Sequence, residues 1–351
     1  MKLAMYVCVN KRFIPLLVLF LESFKNNANI KTKYDFYCFV DRLSIVPEYL
    51  KNKYEWVKFR ETKTTNIQNY TSWDSSFFYG MSIKVFALYE LMNDYDRIIY
   101  LDVDIIINGD LNDFVLCDLG GRGIGAVPDF QTNRRDKRKI NLSHVKTTLE
   151  YRDTLVGSNE LYFNSGVYII DDPTSLDEIM YDEFATRFKP SLVDQDYLNY
   201  VYRGDVCLIP EKYNFMCDNT HLRDMSYQDR MIDSYNMSIA PIQHFHGSSK
   251  PWKCKSSFGY FELVSQMNTV RFFETYDSVY DIISSNVNYD WIIKNVDRNR
   301  ELLQRTDRLA INFGKYKSAI RRFYIMINGK LNLNRSSGVI LDTLVDGFNT
   351  V

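Results

Sequence analysis

Apolar residues along this chain follow two rhythms. Predominantly apolar runs at 3–9, 34–40 and 97–101 read as strands buried on both faces, and Gly123–Pro128 and Phe163–Ile170 read as two more. Between them, 14–26 and 82–93 repeat apolar residues at helical spacing. This alternation predicts an α/β fold, a parallel sheet with helices on both faces. Ligands of such sheets bind beyond the carboxyl ends of the strands, where Asn10 and Asp102 both fall. The apolar run Phe13–Leu21 is too short to span a bilayer and reads as the first helix, not a leader; Pro15 suits its first turn. Helical spacing returns at Trp291, Ile292, Val296, Leu302, Leu303 and Leu309, which predicts a mainly helical carboxyl-terminal extension.

Composition changes this picture in one place. The 351 residues carry a net charge of only −1, which gives no overall case for a polyanionic partner. Yet Trp291–Arg335 holds 11 Lys/Arg against 3 Asp/Glu, so everything before it is net acidic. Within that stretch, Tyr316, Ile320, Phe323 and Ile327 recur at helical spacing with Arg321 and Arg322 turned away. Such a basic amphipathic helix can pack on the catalytic part, lie on an anionic membrane or track nucleic acid. A second basic segment, Thr132–Lys146, is either an acceptor contact or a solvated loop. Six cysteines, at 8, 38, 117, 207, 217 and 254, form no C-x-x-C pair and read as buried thiols of a reducing compartment. That places the chain in the cytoplasm, with peripheral attachment to a membrane left open by the basic tail.

The chemistry starts at RIIYLDVDIIINGD, residues 97–110. Asp102 and Asp104 are spaced so that, on an extended strand, both carboxylates share a face and can grip one hard divalent cation. Such cations commonly complete their coordination with substrate phosphates, which points to a nucleotide-linked donor. Taken alone, the D-x-D pattern is equally that of a turn or a helix cap. Three further blocks accompany it: Phe163-Asn164-Ser165-Gly166-Val167, then Asp194-Gln195-Asp196, then His244 opening HFHGSSKPW.

Together, over about Met1–Trp252, these blocks resemble in order the retaining glycosyltransferase family 8, which includes glycogenin and bacterial lipopolysaccharide galactosyl- and glucosyltransferases. The resemblance implies a GT-A, Rossmann-like nucleotide-sugar domain at 1–255 with a helical, basic extension at 256–351. It implies a manganese ion held by Asp102, Asp104 and His244, with magnesium the alternative; two carboxylates and an imidazole suit manganese better than calcium. It makes Gly247 and Lys250 the diphosphate grip, by close backbone approach and a compact positive charge. The turn after the first strand would hold uracil and ribose through backbone at Cys8 and Val9, the Asn10 side chain and the Phe13 ring, with Val103 contributing between the two aspartates. Lys84 resembles a basic residue directed at the donor phosphates, and Asn164, Asp194 and Gln195 resemble the residues around the donor sugar. At Ser191 the chain departs from glycogenin, which carries an aspartate three residues before its D-Q pair.

The function so implied is metal-dependent transfer of a hexose or related sugar from a UDP-sugar, with retention, to a hydroxyl acceptor. A glycan or lipopolysaccharide, a protein hydroxyl and a hydroxylated base of viral DNA all remain open as acceptors. Two other classes compete. Nucleotidyl transfer also uses strand-end carboxylates, but Val7–Phe13 contains no glycine. A catalytically silent sugar-nucleotide-binding protein would not need the full set of metal and phosphate positions.

Overall fold

The computed structural model describes residues 1–62, 76–129, 151–157, 160–171, 173, 176, 183, 184, 187, 193–216, 235–246, 250–252, 265–286 and 289–301. Expectations for Thr132–Lys146, Ser191, Gly247, Cys217, Cys254 and everything from Leu302 onward, including the basic amphipathic stretch, lie outside the described residues. The chain divides into two compact units, Met1–Met216 with Ile239–His244, and Cys217–Ser238 with Phe245–Val351.

The first unit is built on a seven-stranded sheet in the order β3-β2-β1-β4-β7-β6-β8. Its strands are β1 (Leu3–Val9), β2 (Asp35–Val40), β3 (Val57–Glu61), β4 (Arg97–Leu101), β6 (Ile124–Pro128), β7 (Phe163–Asp171) and β8 (Val206–Leu208). All run parallel except β7, which is antiparallel to both β4 and β6. The sequence pattern missed that reversal because a fully buried apolar run looks the same in either direction. A small sheet, β5 (Ile105–Ile107), β10 (Ile242–His244) and β9 (Phe215–Met216), adjoins it in the same unit.

Helices cover both faces of the large sheet, as the alternation predicts. Ala4, Tyr6 and Cys8 of β1 share one buried cluster with residues of α3 (Ser76–Leu91) and α5 (Val193–Val201). On the other face Phe36 of β2 meets Phe20 and Phe24 of α1 (Ile14–Asn27), with ring centroids 6.1 and 5.0 Å away. Pro15 stands in the first turn of α1, where its missing N–H costs nothing. Side chains alternate along a strand, so β1 is apolar throughout because it is buried on both sides. Short helices α2 (Glu48–Lys53) and α4 (Asn112–Val115) complete the unit's labelled helices.

Polar groups also enter this core. Tyr6, Tyr100 and Tyr168 stand level on β1, β4 and β7. The Tyr6 and Tyr168 hydroxyls are 2.5 Å apart, and Tyr6 donates to the Lys84 carbonyl at 3.1 Å. Burial pushes all three phenols well above their ordinary pKa. Cys8 and Cys38 are buried thiols as expected, whereas Cys117 and Cys207 are only half-buried; all four are free.

The described part of the second unit includes the helices α6 (Ser265–Ser278) and α7 (Tyr280–Ser284) and a helix over 290–301. Its core gathers Phe245, Trp252, Phe272, Tyr276, Ile292 and Val296. Asn299, fully buried, donates its amide to the Pro251 carbonyl at 2.6 Å. Among the described residues no helix is long and apolar enough to cross a membrane.

Candidate active site

β4 stops at Leu101, and Asp102, Val103 and Asp104 form the turn that leads into β5. The two carboxylates therefore converge by a turn, not by the alternation of one strand. Asp102 is tied down by its own N–H, which donates to the Gly166 carbonyl at 2.8 Å. β5 pairs antiparallel with β10 so that Ile105 faces His244, which sets Asp104 beside that histidine. Nε2 of His244 lies 3.3 Å from Asp104 Oδ1 and 3.8 Å from Asp102 Oδ2. One ligand atom from each of Asp102, Asp104 and His244 falls within 4.8 Å of the others.

Asp102 divides its two oxygens. Oδ1 accepts the Tyr100 hydroxyl at 2.5 Å and meets Lys84 Nζ at 3.1 Å, while Oδ2 is the oxygen nearer His244. Lys84, on α3, reaches across to Asp194 Oδ2 at 2.7 Å and lies 4.5 Å from the Tyr100 ring centroid. Burial alone would lower its pKa; Asp102 and Asp194 outweigh that and hold it above the ordinary lysine value. The ammonium is thus a fixed charge beside the carboxylates.

Because β7 runs antiparallel, its first residues lie at the same sheet edge as the carboxyl ends of β1 and β4. That brings Asn164, Ser165 and Gly166 to the site. Ser165 Oγ donates to Asp194 Oδ2 at 2.8 Å. Gln195, in the first turn of α5, accepts at Oε1 from Asn164 Nδ2 (3.2 Å) and from the Ser165 N–H (3.1 Å). Its Nε2 donates to Asp129 Oδ2 at 3.2 Å, and Arg152 pairs with Asp129 on the far side at 3.3 Å. A Cβ on Gly166 would stand 2.3 Å from His244 Cε1 and 2.9 Å from Asp102 Oδ2, so only a hydrogen fits there.

Of the residues singled out in the sequence, Asp102, Asp104, His244, Lys84, Asn164, Asp194 and Gln195 form one connected group. Cys8 and Val9 are buried at the end of β1, two and three residues beyond Tyr6, which is level with Tyr100. Burial pushes the Cys8 thiol up, and Lys84 and Asp102 both act on it. Asn10 Oδ1 accepts the Arg12 N–H at 3.0 Å and so caps the 3-10 turn Lys11–Phe13, which the half-buried Phe13 closes. Lys250 belongs to the second unit, its Nζ 5.6 Å from the Trp252 ring centroid. Sequence reasoning missed Tyr100, Asp129, Asn214 and the steric role of Gly166. Asp129, an acid directly after an apolar strand, was the one with a readable signal.

The donor set fits a divalent metal of manganese or magnesium type. Nδ1 of His244 is 2.8 Å from Asn214 Oδ1, which leaves Nε2 turned to the two carboxylates. Two hard anionic oxygens and an imidazole nitrogen, gathered over a glycine that keeps the space open, match that chemistry.

Comparison with known proteins agrees with this geometry. Residues 5–256 match the family "Glycosyl transferase family 8". Lipopolysaccharide 1,2-glucosyltransferase of Escherichia coli (strain K12) is 26% identical over 185 residues, 49% of each chain. Probable galacturonosyltransferase 14 of Arabidopsis thaliana is 24% identical over 183 residues, 46% of this chain and 31% of that one. The chain thus spans about half the length, or less, of these curated relatives. In fold it resembles galactosyltransferase LgtC in complex with donor and acceptor sugar analogs, at TM-score 0.54 and 20% identity over 76% of this chain and 95% of that one. It also resembles the bifunctional glycosyltransferase WbbM, at TM-score 0.57 and 16% identity over 79% and 51% of the two chains. With the family's profile matched over most of its length, and with that family's GT-A architecture, the chain belongs to glycosyl transferase family 8.

Proposed function

We propose that this protein is a metal-dependent retaining glycosyltransferase that moves a hexose from a UDP-sugar to a hydroxyl of a glycan or lipopolysaccharide acceptor. Residues 1–255 would form the catalytic part and 256–351 a helical extension. The observation that carries the reading is the meeting of Asp102, Asp104 and His244 at the edge where β1 and β4 end, with the buried Lys84 beside them. The acceptor class is supported by the similarity to two lipopolysaccharide 1,2-glucosyltransferases.

When bound, the metal would neutralise charge on the donor diphosphate and so assist departure of UDP. Asp102, Asp104 and His244 would hold it. Lys84 keeps its proton in this setting and adds a second positive charge near the leaving group without having to move. Asp194, fixed by Lys84 and Ser165, would accept a hydrogen bond from a sugar hydroxyl. Gln195 bears on the stereochemistry. Its Oε1 already accepts two hydrogen bonds, so attack by that oxygen on the sugar would have to give up at least one of them. An amide so held is a poor nucleophile, which favours front-face attack by the acceptor hydroxyl over a covalent intermediate.

The test is UDP release and sugar transfer from a panel of UDP-hexoses. Asp104→Asn should lower turnover at least about 100-fold, comparable to losing one major electrostatic contact of the transition state. Chelator should abolish wild-type turnover and added manganese should restore it. Full turnover in chelator, or an inverted linkage by NMR of the product, overturns the reading.

A further inference from the structure

Three buried side-chain amides and one imidazole form a chain whose hydrogen-bond directions follow from one fixed backbone donor. It starts at a donor that cannot be reversed: the Gly166 backbone N–H, 2.9 Å from Asn164 Oδ1. That contact fixes the Asn164 amide with its oxygen toward Gly166. Its nitrogen then donates to Gln195 Oε1, an atom that also accepts the Ser165 N–H. Asn214 lies 2.9 Å from the same Asn164 oxygen and must present its own NH₂ group there. Its oxygen is therefore the atom turned to His244 Nδ1 at 2.8 Å, and an amide oxygen only accepts. Nδ1 must carry the hydrogen. All four side chains are at least nine-tenths buried, with Asn214 at 0% and His244 at 2% exposure.

We propose that Asn214 is a positioning residue: it holds His244 with the hydrogen on Nδ1, so that Nε2 is the ring nitrogen presented to a cation between Asp102 and Asp104, and ties that ligand through Asn164 to Gln195. The inference rests on the cation reading of the Asp102–Asp104–His244 group. It adds that the geometry of the cation ligand and of the amide beside the reacting sugar are set by one chain of hydrogen bonds. Asn214 comes from the 3-10 turn Glu211–Asn214, and His244 from β10, which pairs directly with β9 after that turn. Buried partners of a ligating imidazole fix its ring and tautomer, and their removal typically costs about 10–100-fold in metal affinity.

Two measurements test this. The chain has four histidines, so ¹⁵N NMR of the metal-free wild type, with His244→Gln used to assign the signal, can read the His244 ring directly. Nδ1 is expected to be protonated; an unprotonated Nδ1 overturns the proposal without any change at Asn214. The second measurement is manganese binding, followed by electron paramagnetic resonance, in Asn214→Ala and Asn214→Asp. Asn214→Ala should bind about 10–100-fold more weakly. Asn214→Asp, which still accepts from Nδ1, should recover most of that loss while slowing transfer, because it no longer donates to Asn164. Unchanged affinity in Asn214→Ala, or equal losses in both variants, overturns the proposal. A wild type that binds no manganese at all but shows the Nδ1–H ring would instead count against the cation reading alone.

Discussion

Lys84 decides the charge balance of the site, because it is the buried cation shared by Asp102 and Asp194. Lys84→Met should cost about 3–5 kcal/mol in urea unfolding, since it leaves the buried Asp194 carboxylate uncompensated. Adding Asp194→Asn should recover part of that loss. The pH dependence has a definite sign. The folded pKa of Lys84 lies above the unfolded value of about 10.4, so its contribution is complete below about pH 10.4 and is lost as pH rises through the folded value. The stability gap between wild type and Lys84→Met should therefore be flat in neutral and mildly alkaline solution. Gln195→Ala should slow transfer yet leave product of retained configuration, read by NMR of the glycoside; complete loss of product would argue for an obligatory nucleophile. Asp102, Asp104 and His244 were legible in the sequence because their chemistry is carried by residue type. Asn214 was not, since it sits 30 residues from His244 and 50 from Asn164 in the chain and only the closed fold joins them.

The strands and helices of the large sheet were readable because their burial is regular; the ends that build the site were less so. β4 ends one residue before Asp102, and the approach of Asp104 to His244 depends on a β5–β10 pairing between strands of three residues each. Runs that short carry no periodic signal. The reversed direction of β7 was hidden for a different reason, burial on both faces, yet it is what brings Asn164–Gly166 to the site. Gly166→Ala tests the role of this element. Its methyl group would overlap His244 and Asp102, so a loss of about 1–3 kcal/mol and a weakened manganese affinity are expected, read by thermal melting and metal titration. Unchanged metal binding would mean that β7 can retreat from His244 and Asp102 without consequence.

For the whole molecule, the helical reading of 290–311 holds as far as Glu301, and the structure assigns its inner face to the second unit. Ile292 and Val296 are fully buried there and Asn299 is bound to Pro251. A chain ending at Lys294 loses Val296 and Asn299 and should be less stable by about 2–4 kcal/mol, the sum of one buried aliphatic side chain and one hydrogen bond. A chain ending at Glu301 keeps both, so a melting temperature below that of the full protein would mean that the segment beyond Glu301 packs on the rest. That second truncation also isolates the basic segment beyond it. If it is stable but loses binding to anionic liposomes, the segment serves a membrane; if it loses salt-sensitive DNA binding instead, it serves nucleic acid. If it is stable and binds both as the full chain does, the segment serves neither.

The level row of Tyr6, Tyr100 and Tyr168 acts as a proofreader of strand alignment. Apolar strands buried on both sides tolerate sliding, because one aliphatic contact substitutes for another. A slip of β4 by a single residue would turn Tyr100 to the opposite face of the sheet, out of its place between the Tyr6 and Tyr168 rings. The same slip would shift Asp102 by a residue along the edge, away from Lys84 and the Gly166 carbonyl. A misaligned β4 thus forfeits its ring contacts and the anchoring of Asp102 in one step, so the register of the strand and the placement of the carboxylate at its end are set together.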